Sequence, residues 1–106
     1  MPAFYDAIPT DFLESGESTT VNVDGFPIAI ANASGVYCAF QNMCPHQATP
    51  LGGRPVVDGV ITCSQHASKY DVRTGECVKP ADGDGFSQGL MTFEVEVVDE
   101  VVRVKV

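Results

Sequence analysis

The clearest alternation of hydrophobic and polar positions lies at the end of the chain. Hydrophobic residues at 93, 95 and 97 alternate with Glu94 and Glu96, and those at 102, 104 and 106 alternate with Arg103 and Lys105. A period of two is typical of strands with one buried face, so two strands joined by a turn at 99–100 are predicted. The acidic positions of one strand and the basic positions of the other favour antiparallel cross-strand pairing.

The first half of the chain predicts a meander of three short strands. Residues 20–23, 26–31 and 36–40 are the strand candidates, and turns at Asp24-Gly25 and at 32–35 separate them. Asp-Gly between hydrophobic runs is a strong hairpin signal. Upstream of the meander the pattern is weak.

The remaining segments are short and interrupted by turn residues. A turn of helix at 8–13, capped by Thr10, is predicted from the sequence, as are a hairpin at 56–62, a strand, turn and strand at 69–76, and a loop at 79–89. No segment of ten or more residues has a 3.6-residue period. At 106 residues the chain is predicted to be a single all-β domain.

Candidate chemistry is concentrated in two short Cys/His pairs. Cys44-Pro45-His46 is followed, after sixteen residues, by Cys63-Ser64-Gln65-His66. Each pair fits on one tight loop, and two thiolates with two imidazoles form a four-ligand set that suits zinc or an iron-sulfur cluster. A single cysteine or histidine is usually structural, but the chain has two histidines and both lie in these pairs.

The mixed pairs, Cys-x-His and Cys-x-x-His, resemble a Rieske centre, in which two histidines replace two cysteines on one iron of a 2Fe-2S cluster. From about Val21 to the end, the chain resembles the Rieske ferredoxins, small electron carriers of multicomponent oxygenases. The resemblance implies an antiparallel β-sandwich spanning 1–106, with a cluster-binding subdomain of two ligand loops inserted at about 41–82. It further implies one 2Fe-2S cluster per chain.

The same resemblance assigns the ligands. Cys44 and Cys63 are expected to hold the inner iron, and His46 and His66 the outer iron, where the imidazoles would be the exit for electrons. Gln47, directly after His46, is more similar to the ferredoxins of di-iron monooxygenases than to those of ring-hydroxylating dioxygenases. The oxygenase class is left open.

Three further residues are expected beside the cluster. Counted from Cys63, Ser68 and Tyr70 stand where respiratory Rieske proteins carry a Ser and a Tyr that donate hydrogen bonds to cluster sulfur, which raises the potential. The alternative is that Ser68 caps the loop and Tyr70 belongs to the core. Pro80, with Ala81-Asp82, resembles the third loop that covers the cluster, although a surface turn is the alternative.

Composition excludes several classes of function. The net charge of −8 argues against nucleic acids and anionic membranes as partners. No apolar run is long enough to span a membrane, and the first residues lack a secretory signal, so a cytoplasmic protein is expected.

Four of the six basic residues fall within 54–79, whereas 81–100 carries six acids and no base. A charge dipole is one interpretation and a solvated acidic surface is the other.

The leading interpretation is an electron-transfer component rather than an enzyme. It would pass single electrons from a flavoprotein reductase to a terminal oxygenase, either a ring-hydroxylating dioxygenase or a di-iron monooxygenase, in aromatic or hydrocarbon catabolism. The alternatives are a structural zinc module, a Rieske-like accessory subunit of a larger reductase, and a thiol catalyst using Cys44 or Cys63. Cys38 lies in an apolar run and is predicted to be a buried free thiol; Cys77 follows a turn.

Overall fold

The computed structural model describes residues 3–45, 49–64, 67–80 and 88–106, and these residues are almost entirely in strands and turns. One 3₁₀-helix, Thr10–Phe12, lies between the first two strands. The strands are β1 (Phe4–Pro9), β2 (Ser18–Val23), β3 (Phe26–Ala33), β4 (Val36–Gln41), β5 (Val56–Val57), β6 (Val60–Thr62), β7 (Lys69–Asp71), β8 (Cys77–Lys79), β9 (Thr92–Phe93), β10 (Val95–Val98) and β11 (Val101–Lys105). The prediction of an all-β fold is confirmed.

These strands form three antiparallel sheets. Their strand orders are β1-β11-β10, β2-β3-β4-β9 and β5-β6-β7-β8. The β2-β3-β4-β9 sheet is central because it contributes to both hydrophobic clusters. Ile28, Ile30 and Ala39 pack with Val102 and Val104 of the first sheet. The second cluster combines alternate positions of β3 and β4 with residues of the third sheet: Ala29, Ala31, Phe40, Ile61 and Tyr70.

Strand β3 is buried on both faces for this reason. All its residues from Ile28 to Ala33 are buried, so the strand has no polar alternation in this stretch. Pro27 stands near the start of β3, where a residue without an amide N–H is tolerated. The third sheet, residues 56–79, lies within the stretch 41–82 that was expected to be the cluster-binding subdomain.

Four two-residue hairpin turns share one backbone geometry. At 24–25, 34–35, 58–59 and 99–100 both residues have positive φ, which is the type I′ pattern that matches the twist of paired strands. Three of these turns have glycine second. The fourth places Glu100 there at φ 63, where a side chain is disfavoured.

The predicted charge pairing of the last two strands is confirmed. Glu96 lies opposite Arg103 in the register, and Arg103 Nη1 is 2.8 Å from Glu96 Oε2. Arg103 Nε also contacts Asp6 Oδ1 at 2.9 Å, and Lys105 Nζ is 3.8 Å from Glu94 Oε2. These pairs are largely exposed, so they specify register more than they stabilise the fold.

Two features near the start of the chain differ from the sequence-based prediction. The weakly patterned segment Phe4–Pro9 is strand β1, which pairs with β11 at the other end of the chain. The predicted cap at Thr10 is wrong, because Pro9 occupies the cap position and no side chain caps the helix. The Thr10 amide instead donates to the Glu100 carbonyl at 2.9 Å, which ties this turn to the β10–β11 hairpin.

The pairing of β1 with β11 brings the two ends of the chain together. The Ala3 amide donates to the Val106 carbonyl at 3.1 Å, and the Val106 amide donates to the Ala3 carbonyl at 3.2 Å. Among the residues that the structure describes, no helix has the length and apolar character needed to cross a membrane.

We expect Glu100→Gly to stabilise the fold by about 1 kcal/mol, because glycine adopts positive φ without a steric cost. Denaturant unfolding should show a higher midpoint with an unchanged slope. Gly35→Ala, at the corresponding position of the β3–β4 turn, is the matched control and should destabilise by a similar amount. Equal stability of wild type and Glu100→Gly would contradict the assigned turn geometry.

Candidate metal centre

The two Cys/His pairs are in loops that are closed in the same way. The Cys44 amide donates to the Thr49 carbonyl and the Cys63 amide donates to the Ser68 carbonyl, each at 2.8 Å. Each cysteine therefore begins a six-residue loop whose ends are joined by one backbone hydrogen bond. His46 and His66 belong to these loops by sequence but, like Gln47, lie outside the described residues.

The first ligand loop is anchored at its base by Asn42. Its carbonyl accepts from the Leu51 amide at 2.8 Å, and its Oδ1 accepts from the Gly52 amide and from Thr20 Oγ1, each at 2.9 Å. Gly52 packs so closely here that a Cβ would lie 2.0 Å from Thr20 Oγ1. Glycine is therefore required at position 52 by close packing.

Gln41 connects this loop to the segment that follows residues 81–87. Its Nε2 donates to the Met43 carbonyl at 2.8 Å, and its Oε1 accepts from the Met91 amide at 2.7 Å. Its backbone amide also donates to the Met91 carbonyl at 2.9 Å. Gln41, Asn42 and Gly52 were not identified as site residues from sequence, since side chain to backbone bonds of this kind leave no periodic signal.

Both cysteines are part of the hydrophobic core. Cys44 is 2% exposed and Cys63 is 1% exposed, and they share one cluster with Leu51, Ile61 and Tyr70. Neither is in a disulfide. The described residues alone contain no group of three possible metal ligands, since both histidines fall outside them.

Two hydroxyl groups converge on the Cys44 sulfur. Ser68 Oγ and Tyr70 Oη each lie 3.6 Å from Cys44 Sγ, and both residues are fully buried. Tyr70 is held there by β7, where it pairs with Ile61 on one side and Cys77 on the other. The two interpretations of these residues are therefore compatible, since Tyr70 packs in the core and its hydroxyl also reaches the sulfur.

These features fit an iron-sulfur cluster better than a catalytic thiol. Buried sulfur atoms are soft ligands in a site from which water is excluded, whereas a nucleophilic cysteine needs access for its substrate. Hydroxyl groups beside Cys44 would donate to a thiolate ligand and satisfy its remaining lone pairs. The third expected element is only partly visible: Pro80 follows β8 and is exposed, while Ala81 and Asp82 lie outside the described residues.

The other two cysteines lie away from these loops in sequence. Cys38 is a buried free thiol, as predicted. Burial raises the pKa of Cys38, an effect that Arg73 opposes and Asp71 reinforces. Cys77 is half-buried and packs against the same hydrophobic cluster.

Comparison with known proteins identifies the family. A family model described as the Rieske [2Fe-2S] domain matches residues 3–95. The biphenyl dioxygenase ferredoxin subunit of Pseudomonas sp. (strain KKS102) is 36% identical over 78 residues, which cover 73% of this chain and 72% of the relative.

Two solved structures have the same fold. The ferredoxin of carbazole 1,9a-dioxygenase from Nocardioides aromaticivorans IC177 superposes with a TM-score of 0.83 at 23% identity, covering 98% of this chain and 96% of the other. A complex of reduced oxygenase and oxidized ferredoxin in carbazole 1,9a-dioxygenase contains a chain with a TM-score of 0.83 at 24% identity, covering 95% and 91% respectively.

We expect Gly52→Ala to lower the free energy of unfolding by about 2–3 kcal/mol, because the added methyl group overlaps Thr20 Oγ1 at the base of the first ligand loop. Thermal unfolding of the variant measures this loss. Gly53→Ala is a control with open space around it, although its positive φ carries a smaller cost.

Thr20→Ala in the Gly52→Ala background removes the atom that the new methyl group meets. The double variant should recover about 1 kcal/mol relative to the sum of the single changes. Strict additivity of the two substitutions would show that the close contact does not determine the loop position.

Proposed function

We propose that this chain, which belongs to the Rieske [2Fe-2S] family, carries single electrons between two partner proteins. The donor would be a flavoprotein reductase, and the acceptor would be the terminal oxygenase of an aromatic-ring dioxygenase system. The observation that carries the proposal is the burial of Cys44 and Cys63 in two loops closed by matching hydrogen bonds, with two hydroxyl groups beside one sulfur. Relatives named as ferredoxin subunits of dioxygenases supply the type of system.

In the proposed ligand set, Cys44 and Cys63 hold one iron while His46 and His66 hold the other. The uniform closure of the two loops supports this assignment, since each loop supplies one thiolate and, by sequence, one imidazole. Residues 41–82 form the proposed cluster-binding subdomain of a single domain, and Pro80 belongs to the proposed covering loop. When bound, the 2Fe-2S cluster supplies a one-electron redox couple.

The protein's own contribution is rigidity, burial and hydrogen bonding. The sheet β5-β6-β7-β8 and the anchors at Gln41 and Asn42 fix the loops, so that a change of charge causes little rearrangement. With Cys44 as a thiolate ligand, the hydroxyls of Ser68 and Tyr70 would donate to its sulfur and stabilise the more negative, reduced state. The expected consequence is a potential above that of relatives without these hydroxyls.

The proposed setting is the cytoplasm. Cys38 and Cys77 are both free, as expected in a reducing compartment. The partners would be transient, and the chain itself would perform no substrate chemistry. The family match also argues against a structural zinc module and against a thiol catalyst, because the matching family is a [2Fe-2S] domain.

We expect anaerobically purified protein to contain two irons and two acid-labile sulfides per chain and to give an EPR signal on reduction. His66→Ala removes one proposed ligand and should lose most of the visible absorption. Gln65→Ala, the neighbouring position in the same loop, should keep it. A full complement of iron in His66→Ala, or none in the wild type, would refute the ligand assignment.

We expect Tyr70→Phe and Ser68→Ala each to lower the midpoint potential by several tens of millivolts, since a hydrogen bond that strengthens by about 1 kcal/mol on reduction is lost. Redox titration followed by visible absorption measures the shift. Tyr37→Phe is the matched control, because it removes a hydroxyl that donates to the Thr10 carbonyl at 2.8 Å. Unshifted potentials in both test variants would assign the two residues to packing alone.

A further inference from the structure

The second ligand loop, residues 63–68, contains a backbone conformation that its sequence does not favour. Ala67 has φ 59, in the left-handed region where the Cβ of a residue other than glycine crowds the following carbonyl oxygen. Six non-glycine residues in the described part of the chain have positive φ, and five of them are in the hairpin turns at 24–25, 34–35, 58–59 and 99–100. Ala67 is the exception.

The usual local compensation for this conformation is missing at Ala67. The other five residues are aspartate, serine or glutamate, whose side chains have oxygen atoms that can bond nearby backbone groups. A methyl group has no such atom, and Ala67 is only half-buried, so its own side chain does not account for its backbone. The conformation is therefore imposed by the surrounding structure.

Three constraints next to Ala67 impose it. Strand register fixes both ends of the loop, because Thr62 of β6 lies opposite Lys69 of β7. The Cys63 amide donates to the Ser68 carbonyl at 2.8 Å, which leaves four residues to complete the reversal. Ser68 is also fully buried. Positive φ directly before Ser68 turns the chain back into β7 and satisfies all three constraints.

The constrained backbone determines where the Ser68 hydroxyl lies. Ser68 follows Ala67 directly, and its Oγ is 3.6 Å from Cys44 Sγ, in the other ligand loop. Alanine has one narrow left-handed well, and at negative φ the chain would leave Ala67 in a different direction. A change at Ala67 to negative φ would open the loop and withdraw the hydroxyl from the sulfur.

We propose that Ala67 is a positioning residue for the redox centre, and this inference rests on the proposed function. Its left-handed backbone holds the second ligand loop closed and places the Ser68 hydroxyl beside the Cys44 sulfur. Because alanine adopts this conformation at a cost in free energy, the loop has a built-in tendency to open. Retention of the cluster and its potential then both depend on how readily residue 67 adopts positive φ.

The first test compares the release of iron from cluster-loaded proteins with four different residues at position 67. Glycine and asparagine adopt positive φ more readily than alanine, and valine adopts it least readily. The rate at which a chelator removes iron should fall about fivefold in Ala67→Gly and rise about tenfold in Ala67→Val. Ala67→Asn should lie between Ala67→Gly and the wild type. Loss of the visible absorption measures each rate.

The midpoint potential separates positioning from general destabilisation. Ala67→Val should lower the potential by as much as Ser68→Ala does, because both changes remove the hydroxyl from the Cys44 sulfur. The double variant should show no further fall, since the two substitutions act through one contact. Ala67→Gly and Ala67→Asn should keep the wild-type potential, and their rates of iron release carry the test should Ala67→Val not fold.

Ser34→Val is the matched control, because Ser34 has nearly the same φ, 55, and lies in the β3–β4 turn outside both ligand loops. It should lower the temperature of thermal unfolding but leave the potential unchanged and iron release within about twofold of the wild type. Equal acceleration of iron release in Ser34→Val and Ala67→Val would assign the effect to global stability and overturn the proposal. Release rates that do not rise in the order glycine, asparagine, alanine, valine would overturn it as well.

Hydrogen exchange of the Cys63 amide adds a readout that does not depend on iron, because that amide closes the loop. Exchange should slow in Ala67→Gly and quicken in Ala67→Val, and the reverse order would overturn the inference. A wild type without iron would refute the proposed function. Unchanged iron release and potential across the Ala67 variants of a loaded protein would instead overturn this inference and leave the proposed function in place.

Discussion

One backbone hydrogen bond per loop constrains the whole site. Because the amides of Cys44 and Cys63 each donate to the carbonyl five residues later, the chain returns to its starting point within six residues. The repeated closure supports the proposal that two short sequence pairs with different spacing supply equivalent sets of ligands to one centre.

The cysteines have a second role, as members of the hydrophobic core. They lie in the cluster that joins the central sheet to the third sheet, together with Ala29, Phe40 and Tyr70. The proposed ligand set would therefore couple metal binding to folding, since thiolates that lose their metal would be left in an apolar environment. The hydroxyls of Ser68 and Tyr70 reduce this cost on the side of Cys44.

The sequence was informative wherever local chemistry determines structure. Turns with glycine, alternating strands and the charge pairing of Arg103 with Glu96 were all readable, because neighbouring residues carry these signals. Strand β1 was not predicted, since its pairing partner β11 lies at the other end of the chain. The double-sided burial of β3 likewise depends on two other sheets.

The same distinction applies to the residues of the site: some are evident from local sequence, and others depend on partners that are distant in the chain. Cys44 and Cys63, and the hydroxyls near them, could be inferred from spacing and resemblance. Gln41 could not, because its importance depends on Met91, fifty residues away, coming within reach of its side chain. The same holds for Gly52, since the tight packing against Thr20 exists only after β2 has formed.

The mutual hydrogen bonds between Ala3 and Val106 make this domain suitable as a building block. A chain that enters and leaves at one point can be spliced into a surface loop of a larger protein without opening its sheets. The same geometry permits the two ends to be joined and the chain to be cut at a hairpin tip such as Ser34-Gly35, which lies outside both ligand loops. An electron-transfer module could thus be tethered to a catalytic protein in a fixed orientation, and diffusion between the two would no longer limit their encounter.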